Sequence, residues 1–434
     1  MTTFFTLKNI KYLACASFVC LLSACNQPLK SAAPADVSVT AVTADPSQKE
    51  TATQVTRPAV ILVSIDGFKP EYLQRGVTPT LNGLANKGVL AEAMHPSFPS
   101  ITFPNHYTLV TGLRPDHHGI VGNSMDDVQI PDQHFTLSNH AAVVDRRWWD
   151  QAEPIWVTAE KHGVHAATMF WPGSEADIHG ARPTQWQVFD GKLPPDSRVD
   201  VLLGWMDKPA TQRAGFFTLY FDDVDHAGHE FGPDTQQVTD AVAKVDRAMT
   251  RLMTGLDARH IDANIVIVSD HGMASTNEKR VIYLDKSVAS NSFKLVTAGT
   301  YAGIDPLPGQ QATVSQALVK KHEHMECWNK ADIPARLQYG KTPRVPAIIC
   351  LADVGWLIFA AEDPRIHANG GAHGYDNMSK EMGALFIASG PAFKQNIILP
   401  AFDNVDVYPL LMKLIDVQAL PSDGNLTSTA AALR

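Results

Sequence analysis

Three apolar runs in this sequence each end at an aspartate, and two of the three aspartates are followed closely by histidine. The runs lead into Asp66, into the segment Asp225-His-Ala-Gly-His229, and into the pair Asp270-His271. Buried parallel strands are apolar throughout, and ligands bind at their carboxyl ends. Carboxylate oxygens mixed with imidazole nitrogens suit a zinc-like divalent ion, and here they exceed the needs of one four-coordinate site. The pattern predicts a centre with two metal ions.

A hydroxyl group suited to phosphate chemistry lies between the first two of these runs. Thr102 stands where a proline-rich loop turns into a helix, with Pro104 suited to the first helical turn. A helix N-terminus offers unpaired backbone N–H groups and a partial positive charge. Such an end favours an anionic phosphate and helps to ionise a nearby hydroxyl.

Alternating strands and helices have to position these side chains. Apolar spacing predicts strands at 59–65, 166–170, 215–221, 263–269 and 383–389, and helices at 78–85 and 238–256. This alternation predicts an α/β fold, a mostly parallel sheet with helices on both faces. The stretch from roughly 280 to 365 keeps the alternation poorly and is interpreted as a smaller inserted lobe.

The first 24 residues have the pattern of a lipoprotein signal peptide. Two lysines precede an apolar stretch at 12–22 that is too short to span a bilayer comfortably, and Leu-Ser-Ala-Cys25 resembles the bacterial lipobox. Cleavage before Cys25 and acylation of its thiol would hold the protein at a membrane without a transmembrane helix. We therefore expect an exported, lipid-anchored protein at the outer membrane, facing the periplasm. An uncleaved anchor and a plain signal peptide are the alternatives.

Residues 25–57 are expected to be the acylated cysteine and a flexible tether. Their Ala, Ser, Thr, Val, Pro and Gln cannot bury enough apolar surface to fold, so the folded domain is predicted at 58–434. That domain contains two cysteines, Cys327 and Cys350. An exported protein with two such thiols is expected to pair them in a disulfide, and the alternative is two free buried thiols.

Charge argues against a polymeric partner. The formal net charge is −9, and lysines and arginines are scattered along the chain rather than clustered. Nucleic-acid binding depends on a basic patch or stripe, so a nucleic-acid polymer is not expected as a partner. Small molecules are the favoured substrates.

Six segments carry a more specific pattern when taken together. They are Ser-Ile-Asp66-Gly-Phe, Ser-Ile-Thr102-Phe-Pro-Asn-His, Thr-Gly-Leu-Arg-Pro-Asp-His-His-Gly-Ile-Val-Gly-Asn123-Ser-Met, Phe-Trp-Pro-Gly-Ser, Asp225-His-Ala-Gly-His229-Glu-Phe-Gly-Pro and Ser-Asp270-His271-Gly-Met. This set closely resembles the nucleotide pyrophosphatase/phosphodiesterase family of the alkaline phosphatase superfamily. The matches follow the order of the family from about residue 60 to the region of His373.

The resemblance implies two Zn²⁺ ions and a role for each matching residue. One ion would be held by Asp225, His229 and His373, and the other by Asp66, Thr102, Asp270 and His271. Thr102 would be the nucleophile, giving a phospho-threonine intermediate that water resolves, and the amide of Asn123 would stabilise charge on the non-bridging phosphate oxygens. This is sound chemistry, because a metal lowers the pKa of a hydroxyl and a second metal neutralises the leaving oxygen.

Spacing alone leaves one ligand pair ambiguous. Asp222 and His226 have the same four-residue separation as Asp225 and His229. The family pattern Asp-x-x-Gly-His-x-x-Gly-Pro favours the later pair.

The resemblance also constrains the substrate. Sulfatases of the superfamily carry an arginine close behind the nucleophile, and this chain has Thr-Phe-Pro-Asn-His instead, without the guanidinium that would bind a sulfate or phosphate monoester. A diester is therefore favoured. In the family two aromatic rings sandwich a nucleobase, and the candidates here are Phe103 and Trp186, although the family more often has tyrosine at the second position.

The function implied is zinc-dependent hydrolysis of nucleotide pyrophosphate or phosphodiester bonds, releasing nucleoside 5′-monophosphates. Two other functions stay open. A phospholipid-headgroup or glycerophosphodiester phosphodiesterase would use the same metals with a different pocket. A zinc-buffering lipoprotein would need the ligands but neither Thr102 nor Asn123.

Overall fold

The computed structural model describes residues 57–364 and 366–434. The predicted signal peptide at 1–24, the lipobox cysteine Cys25 and the tether up to residue 56 lie outside the described residues. Within the described part, no helix combines the length and the apolar character that crossing a membrane would need.

The strands and helices follow in chain order. The strands are β1 (Ala59–Ile65), β2 (Val89–Ala91), β3 (Met94–His95), β4 (Ser124–Met125), β5 (Phe135–Thr136), β6 (Ala166–Met169), β7 (Gln185–Trp186), β8 (Phe216–Phe221), β9 (Ala263–Val268), β10 (Ala274–Thr276), β11 (Val281–Tyr283), β12 (Phe293–Thr297), β13 (Tyr301–Pro306), β14 (Met325–Asn329), β15 (Ile348–Ala352), β16 (Leu357–Phe359), β17 (Gly370–Ala372), β18 (Phe386–Ser389), β19 (Ile397–Leu399) and β20 (Phe402–Asp403). The α-helices are α1 (Pro79–Lys87), α2 (Thr102–Thr111), α3 (Pro115–His118), α4 (His140–Val143), α5 (Ile155–Lys161), α6 (Pro195–Met206), α7 (Asp223–Phe231), α8 (Gln236–Ala258), α9 (Gln311–Leu318), α10 (Val407–Ile415) and α11 (Thr427–Ala430).

An eight-stranded sheet forms the centre of the fold, in the order β19-β2-β18-β9-β1-β8-β6-β7. Strand β1 pairs in parallel with both β8 and β9, so the three strands that end near candidate ligands are direct neighbours. Only β18 runs against the others in this sheet, antiparallel to β9 and β2. The predicted mostly parallel sheet is confirmed.

Helices cover both faces of this sheet. Val60 and Leu62 of β1 belong to a core shared with helices α2, α5 and α10. Ile61 and Val63 point the other way, into a core shared with α1, α6 and α8. Successive residues of a strand face opposite sides of its sheet, so an apolar run buries both sides at once. The predicted layers of helices are confirmed as well.

Four of the five predicted strands are shorter than expected, β6, β8 and β9 by one residue each and β18, which begins at Phe386, by three. Strand β6 ends at Met169 and not at residue 170. Phe170 has φ of 63°, in the left-handed region, which interrupts the extended backbone that a strand needs. The turn at Phe170 redirects the chain toward the loop that carries Trp171 and Ser174.

A second sheet lies within the stretch from 280 to 365. Its four strands follow the order β12-β13-β15-β14, all antiparallel. Cys327 on β14 and Cys350 on β15 stand directly opposite each other in the register and form a disulfide, which confirms the predicted pairing. The two cysteines are buried in a core of their own with Ile304, Ile348 and Leu318.

Candidate metal centre

The candidate ligands converge where β1, β8 and β9 end. Asp66 directly follows β1, and Asp270 and His271 follow β9 within three residues. Helix α7 begins two residues after β8 and carries Asp225 in its first turn. Because β1 lies between the other two strands and all three run in the same direction, their carboxyl ends meet at one edge of the sheet. The strand-end prediction for this centre agrees with that geometry.

Helix α7 resolves the ambiguity between the two Asp and His pairs. His229 lies one turn after Asp225, with 3.4 Å between His229 Nε2 and Asp225 Oδ2. In contrast, Asp222 pairs with the buried guanidinium of Arg198 at 2.8 Å. The side chain of His226 is 82% exposed and lies 3.8 Å from Glu230. The structure therefore brings the later pair to the centre and leaves the earlier pair outside it.

His373 reaches the centre through a short strand pair. Strand β17, which ends just before His373, pairs antiparallel with β10, which begins soon after His271. The His271 and His373 rings stack with centroids 3.4 Å apart. This contact joins residues separated by about a hundred positions in the sequence.

Two glycines allow this strand to lie against helix α7. A Cβ on Gly370 would be 2.1 Å from the carbonyl oxygen of His229, and one on Gly371 would be 2.6 Å from that of Gly228. Gly370 also has a positive φ of 122°. The absence of a side chain at both positions therefore permits the close approach of β17 to the backbone of α7.

Hydrogen bonds fix the tautomers of the three histidines. Each Nδ1 lies within hydrogen-bond distance of a backbone carbonyl: His229 at 2.9 Å from Gly371, His271 at 2.9 Å from Gly272 and His373 at 3.0 Å from Ser100. A carbonyl only accepts, so on this network each Nδ1 carries the proton and each Nε2 keeps its lone pair. This is the arrangement of a metal-ligating histidine.

The free lone pairs face one another. His229 Nε2 and His373 Nε2 are 3.0 Å apart, although neither nitrogen has a proton to donate in these tautomers. His271 Nε2 lies 2.9 Å from Asp270 Oδ2 and 3.4 Å from Asp66 Oδ1. Lone pairs at such distances repel unless a cation lies between them, so the arrangement fits bound metal ions.

The carboxylates of the centre also indicate bound metal ions. Asp66 Oδ1, Asp225 Oδ1 and Asp270 Oδ2 are buried oxygens without a hydrogen-bond partner. Two overlapping groups of ligand atoms within 4.8 Å of one another are present among the described residues: Asp225, His271 and His373, and Asp66, Asp270 and His271. Buried unpaired carboxylate oxygens are costly, and coordination to a metal is a common way of satisfying them.

Electrostatics also favour bound cations. Burial, with the carboxylates of Asp270 and Asp225, raises the pKa of Asp66 well above its usual range. Burial, with the neighbouring imidazoles of His271 and His229, lowers the pKa of His373 well below its usual range. Divalent cations would stabilise the ionised carboxylates and the neutral imidazoles, which are the ligand forms of both side chains.

Thr102 is the first residue of helix α2, and its side chain is half-buried. Its Oγ1 lies 3.4 Å from His271 Nε2, so the hydroxyl stands at the edge of the ligand group. The N-cap residue Ile101 has no side chain that could accept a hydrogen bond from the start of α2. The prediction that this threonine lies at a helix N-terminus agrees with the structure.

Asn123 lies beside the same helix start. Its Oδ1 accepts a hydrogen bond from the backbone N–H of Phe103 at 2.9 Å. This orients the amide so that Nδ2 remains a donor for another group. The next residue, Ser124, donates to the carbonyl of Val296 on β12 at 2.9 Å, which ties Asn123 to the four-stranded sheet.

The two predicted base-stacking residues lie in different surroundings. Phe103 is half-buried and contacts the rings of Phe135 and Trp149 at centroid distances of 5.8 Å and 6.0 Å. Trp186 lies on β7, the edge strand, with the guanidinium of Arg182 at 5.6 Å from its ring. Both base-stacking assignments stay predictions.

Sequence reasoning missed an aromatic residue near the ligands. Phe189 is 47% exposed, and its ring lies 5.1 Å from that of Phe170 and 6.1 Å from that of Tyr220. The Tyr220 hydroxyl in turn donates to Asp66 Oδ2 at 2.6 Å. The segment Gln-Val-Phe-Asp has no helical or strand periodicity. Only the fold places Phe189 against Tyr220, which in turn contacts the candidate ligand Asp66.

Comparison with known proteins gives a consistent result. A family model described as type I phosphodiesterase / nucleotide pyrophosphatase matches residues 60–376. A pyrophosphatase/phosphodiesterase of Schizosaccharomyces pombe is 38% identical over 86% of this chain and 80% of its own length. Ectonucleotide pyrophosphatase/phosphodiesterase family member 3 of Rattus norvegicus is 36% identical over 85% of this chain and 43% of its own length. The chain therefore spans less than half of that mammalian relative.

The solved structures agree with the sequence matches. Murine ectonucleotide pyrophosphatase/phosphodiesterase 5 superposes with a TM-score of 0.83 at 32% identity, covering 87% of this chain and all of the murine one. An inactive threonine-to-alanine variant of that murine protein has been solved in complex with AMP.

Proposed function

This chain belongs to the type I phosphodiesterase / nucleotide pyrophosphatase family, and on that premise we propose that it is a zinc-dependent hydrolase that releases nucleoside 5′-monophosphates from nucleotide diesters. Membership makes it a metal-dependent phosphodiesterase, and the proposal adds the zinc, the nucleotide and the threonine intermediate. The observation that carries the proposal is the position of Thr102. Its hydroxyl lies 3.4 Å from an imidazole lone pair, at the N-terminus of helix α2.

The residues present suit two ions with the ligand sets implied by the family. Asp225, His229 and His373 would hold one ion, and Asp66, Thr102, Asp270 and His271 would hold the other. When bound, the ions supply positive charge that activates the attacking hydroxyl and stabilises the leaving oxygen. Zinc is favoured because the donors are imidazole nitrogens and carboxylate oxygens.

Thr102 would act as the nucleophile in a double displacement. Its Oγ1 attacks phosphorus, the bond from phosphorus to the leaving oxygen breaks, and the nucleoside monophosphate remains as an ester of Thr102. The hydroxyl proton is lost to solvent. Water then attacks phosphorus, the Thr102 ester bond breaks, and the free hydroxyl is restored. The inactive threonine variant of the murine relative supports this role.

Two groups beside Thr102 would stabilise the non-bridging phosphate oxygens. The N-terminus of α2 contributes backbone N–H groups and its partial positive charge. Asn123 contributes the Nδ2 amide, held in orientation by its bond to the backbone of Phe103. Donors fixed before the substrate arrives are effective because they need no reorganisation during the reaction.

The nucleobase would bind between Phe103 and a second aromatic ring. Trp186 is the candidate from the sequence, and the position of Phe189 supports it as an alternative. Phe189 is more exposed than Trp186 and lies one side chain from Asp66, whereas Arg182 covers part of the Trp186 ring. The two assignments make different predictions for substitution.

Hydrolysis of a dinucleoside polyphosphate is expected to exceed that of glycerophosphocholine by the wild-type chain. If Phe189 stacks on the base, Phe189→Ala should raise the KM of the dinucleotide roughly 5- to 150-fold, since base stacking contributes about 1–3 kcal/mol. The same change should leave a base-free diester unaffected. Steady-state assays with both substrates measure this, and Trp186→Ala is the matched control.

Three outcomes separate the candidate functions. If Trp186→Ala raises the KM of the dinucleotide more than Phe189→Ala does, Trp186 would be the second base-stacking residue. Faster turnover of glycerophosphocholine would favour the lipid-headgroup or glycerophosphodiester function. Tight zinc binding without turnover of either diester would favour the zinc-buffering function.

The location of the protein is proposed from its sequence. Residues 1–24 would be the lipoprotein signal, 25–57 the acylated tether and 58–434 the catalytic domain, with residues 280–365 as an inserted lobe. The disulfide Cys327–Cys350 supports an oxidising compartment such as the periplasm. We expect Cys25→Ser to move the protein from the membrane fraction to the soluble fraction, as measured by fractionation and by labelling with a fatty acid. Retention of Cys25→Ser in the membrane would favour an uncleaved anchor.

A further inference from the structure

We propose that Tyr220 is a positioning residue whose hydroxyl holds Asp66 with one carboxylate oxygen facing the metal ions. The inference rests on the proposed function, because it concerns a ligand of the proposed centre. It concerns the hydroxyl of Tyr220 and not its ring.

The contact between Tyr220 and Asp66 is short and buried. The Tyr220 hydroxyl donates to Asp66 Oδ2 at 2.6 Å, and the two residues are 8% and 1% exposed. A hydrogen bond to an ionised carboxylate at this distance is strong, and burial strengthens it further. The Asp66 side chain is therefore restrained by this hydrogen bond, in addition to the position of its backbone at the end of β1.

The two oxygens of Asp66 have different surroundings. Oδ2 is engaged by Tyr220, whereas Oδ1 has no hydrogen-bond partner and lies 3.4 Å from His271 Nε2. The two oxygens of a carboxylate are chemically equivalent, so the bond to Tyr220 fixes the rotation of the group and not the identity of the oxygen. The hydroxyl thus orients the carboxylate so that the oxygen it does not bind faces the metal.

The Tyr220 ring is itself held in place. Strand β8 fixes its backbone beside Ser64 of β1, and its ring meets His106 edge-on at 5.2 Å. A tyrosine hydroxyl can donate, whereas an ionised carboxylate only accepts, so Tyr220 is the donor in this bond. Partners of this kind behind a metal ligand set its orientation and basicity.

Zinc affinity tests the inference directly. Tyr220→Phe removes only the hydroxyl, and it should weaken binding of one of two Zn²⁺ ions by roughly 10- to 100-fold, the usual effect of losing such a partner. The measurement is competition between the protein and a chromophoric chelator, with zinc alone as the probe. Circular dichroism and the melting temperature of the metal-free protein establish that the variant is folded.

Tyr107→Phe is the matched control. The Tyr107 hydroxyl is also buried, and it donates to the carbonyls of Trp149 and Ala152. Its loss should leave both zinc affinities unchanged. Zinc affinities of Tyr220→Phe within twofold of the wild type would overturn the inference.

Two further readouts separate positioning from other roles. In an Asp66→Asn background, Tyr220→Phe should have no added effect on zinc affinity, because the hydroxyl acts through the carboxylate. At saturating zinc, Tyr220→Phe should keep the KM of the wild type, whereas a changed KM would mean that the hydroxyl contacts substrate. A wild-type chain that binds no zinc or hydrolyses no nucleotide diester would instead refute the proposed function itself.

Discussion

Thr102→Ala is expected to lower kcat/KM for a nitrophenyl nucleotide diester by roughly 10³- to 10⁶-fold, because loss of a catalytic nucleophile leaves only the contribution of the remaining site. The hydroxyl is half-buried at the start of α2, so the fold should not depend on it. The variant should still bind a nucleoside 5′-monophosphate, because the other metal ligands and the helix start are intact. Steady-state kinetics and isothermal titration measure the two properties.

Two variants serve as controls for this experiment. Thr102→Ser keeps a hydroxyl and should recover part of the activity. Thr111→Ala makes the same change nine residues later in the same helix, where the hydroxyl donates to the Tyr107 carbonyl, and activity should stay near that of the wild type. Acid quench of the wild-type reaction followed by peptide mass spectrometry should find the nucleoside monophosphate esterified to Thr102. Near-normal turnover by Thr102→Ala would exclude the covalent mechanism.

His229→Ala is expected to remove one of two metal ions and to lower kcat roughly 10²- to 10³-fold. The expected loss follows because a metal ion contributes several kcal/mol of transition-state stabilisation, and each tenfold in rate corresponds to about 1.4 kcal/mol. His229 Nε2 lies 3.0 Å from His373 Nε2 and 3.4 Å from Asp225 Oδ2, so it completes a set of three. Elemental analysis of the purified variant and its turnover with added zinc are the measurements.

The chain supplies its own control for this substitution. His226 lies three residues earlier on the same helix, and its side chain is 82% exposed. His226→Ala should keep both metal ions and wild-type turnover. The reverse result, with metal lost from His226→Ala and retained by His229→Ala, would assign the ligands to the earlier pair.

The strand-end ligands could be predicted from the sequence because they depend on local signals. Each apolar run ends at a carboxylate, and parallel strands place such ends at one edge of a sheet. These two signals are enough to predict that Asp66, Asp270 and His271 lie close together. Thr102 was equally accessible, since the proline-rich loop before it and Pro104 mark the start of a helix.

His373 and the choice of His229 over His226 needed information from distant parts of the chain. Both α7 histidines follow an aspartate by four residues, and only the approach of β17 to one face of the helix distinguishes them. That approach depends on Gly370 and Gly371, whose meaning is apparent only beside the helix backbone. The family pattern indicated the same residues that the fold brings together, without giving this physical reason.

Tyr220 and Phe189 show a different limit. Tyr220 lies in the run Phe-Phe-Thr-Leu-Tyr-Phe, where a buried aromatic is the ordinary expectation for a strand. Its hydroxyl gains a partner only through the register of β8 on β1. The edge strands β7 and β19 and the neighbouring strand β2 were missed because two or three residues are too few to show a period.

The pairing of β10 with β17 has a consequence for how the chain can vary. The segment between β10 and β17 begins and ends at neighbouring positions, because the two strands pair with each other. Its length therefore does not change the distance between its two ends. Lengthening a flexible loop whose ends are held together raises the free energy of loop closure by only about 0.6 kcal/mol for each doubling of its length. Insertions at its exposed turns, such as 307–309, should be tolerated far better than a single change in the β10–β17 pair that leads to His373.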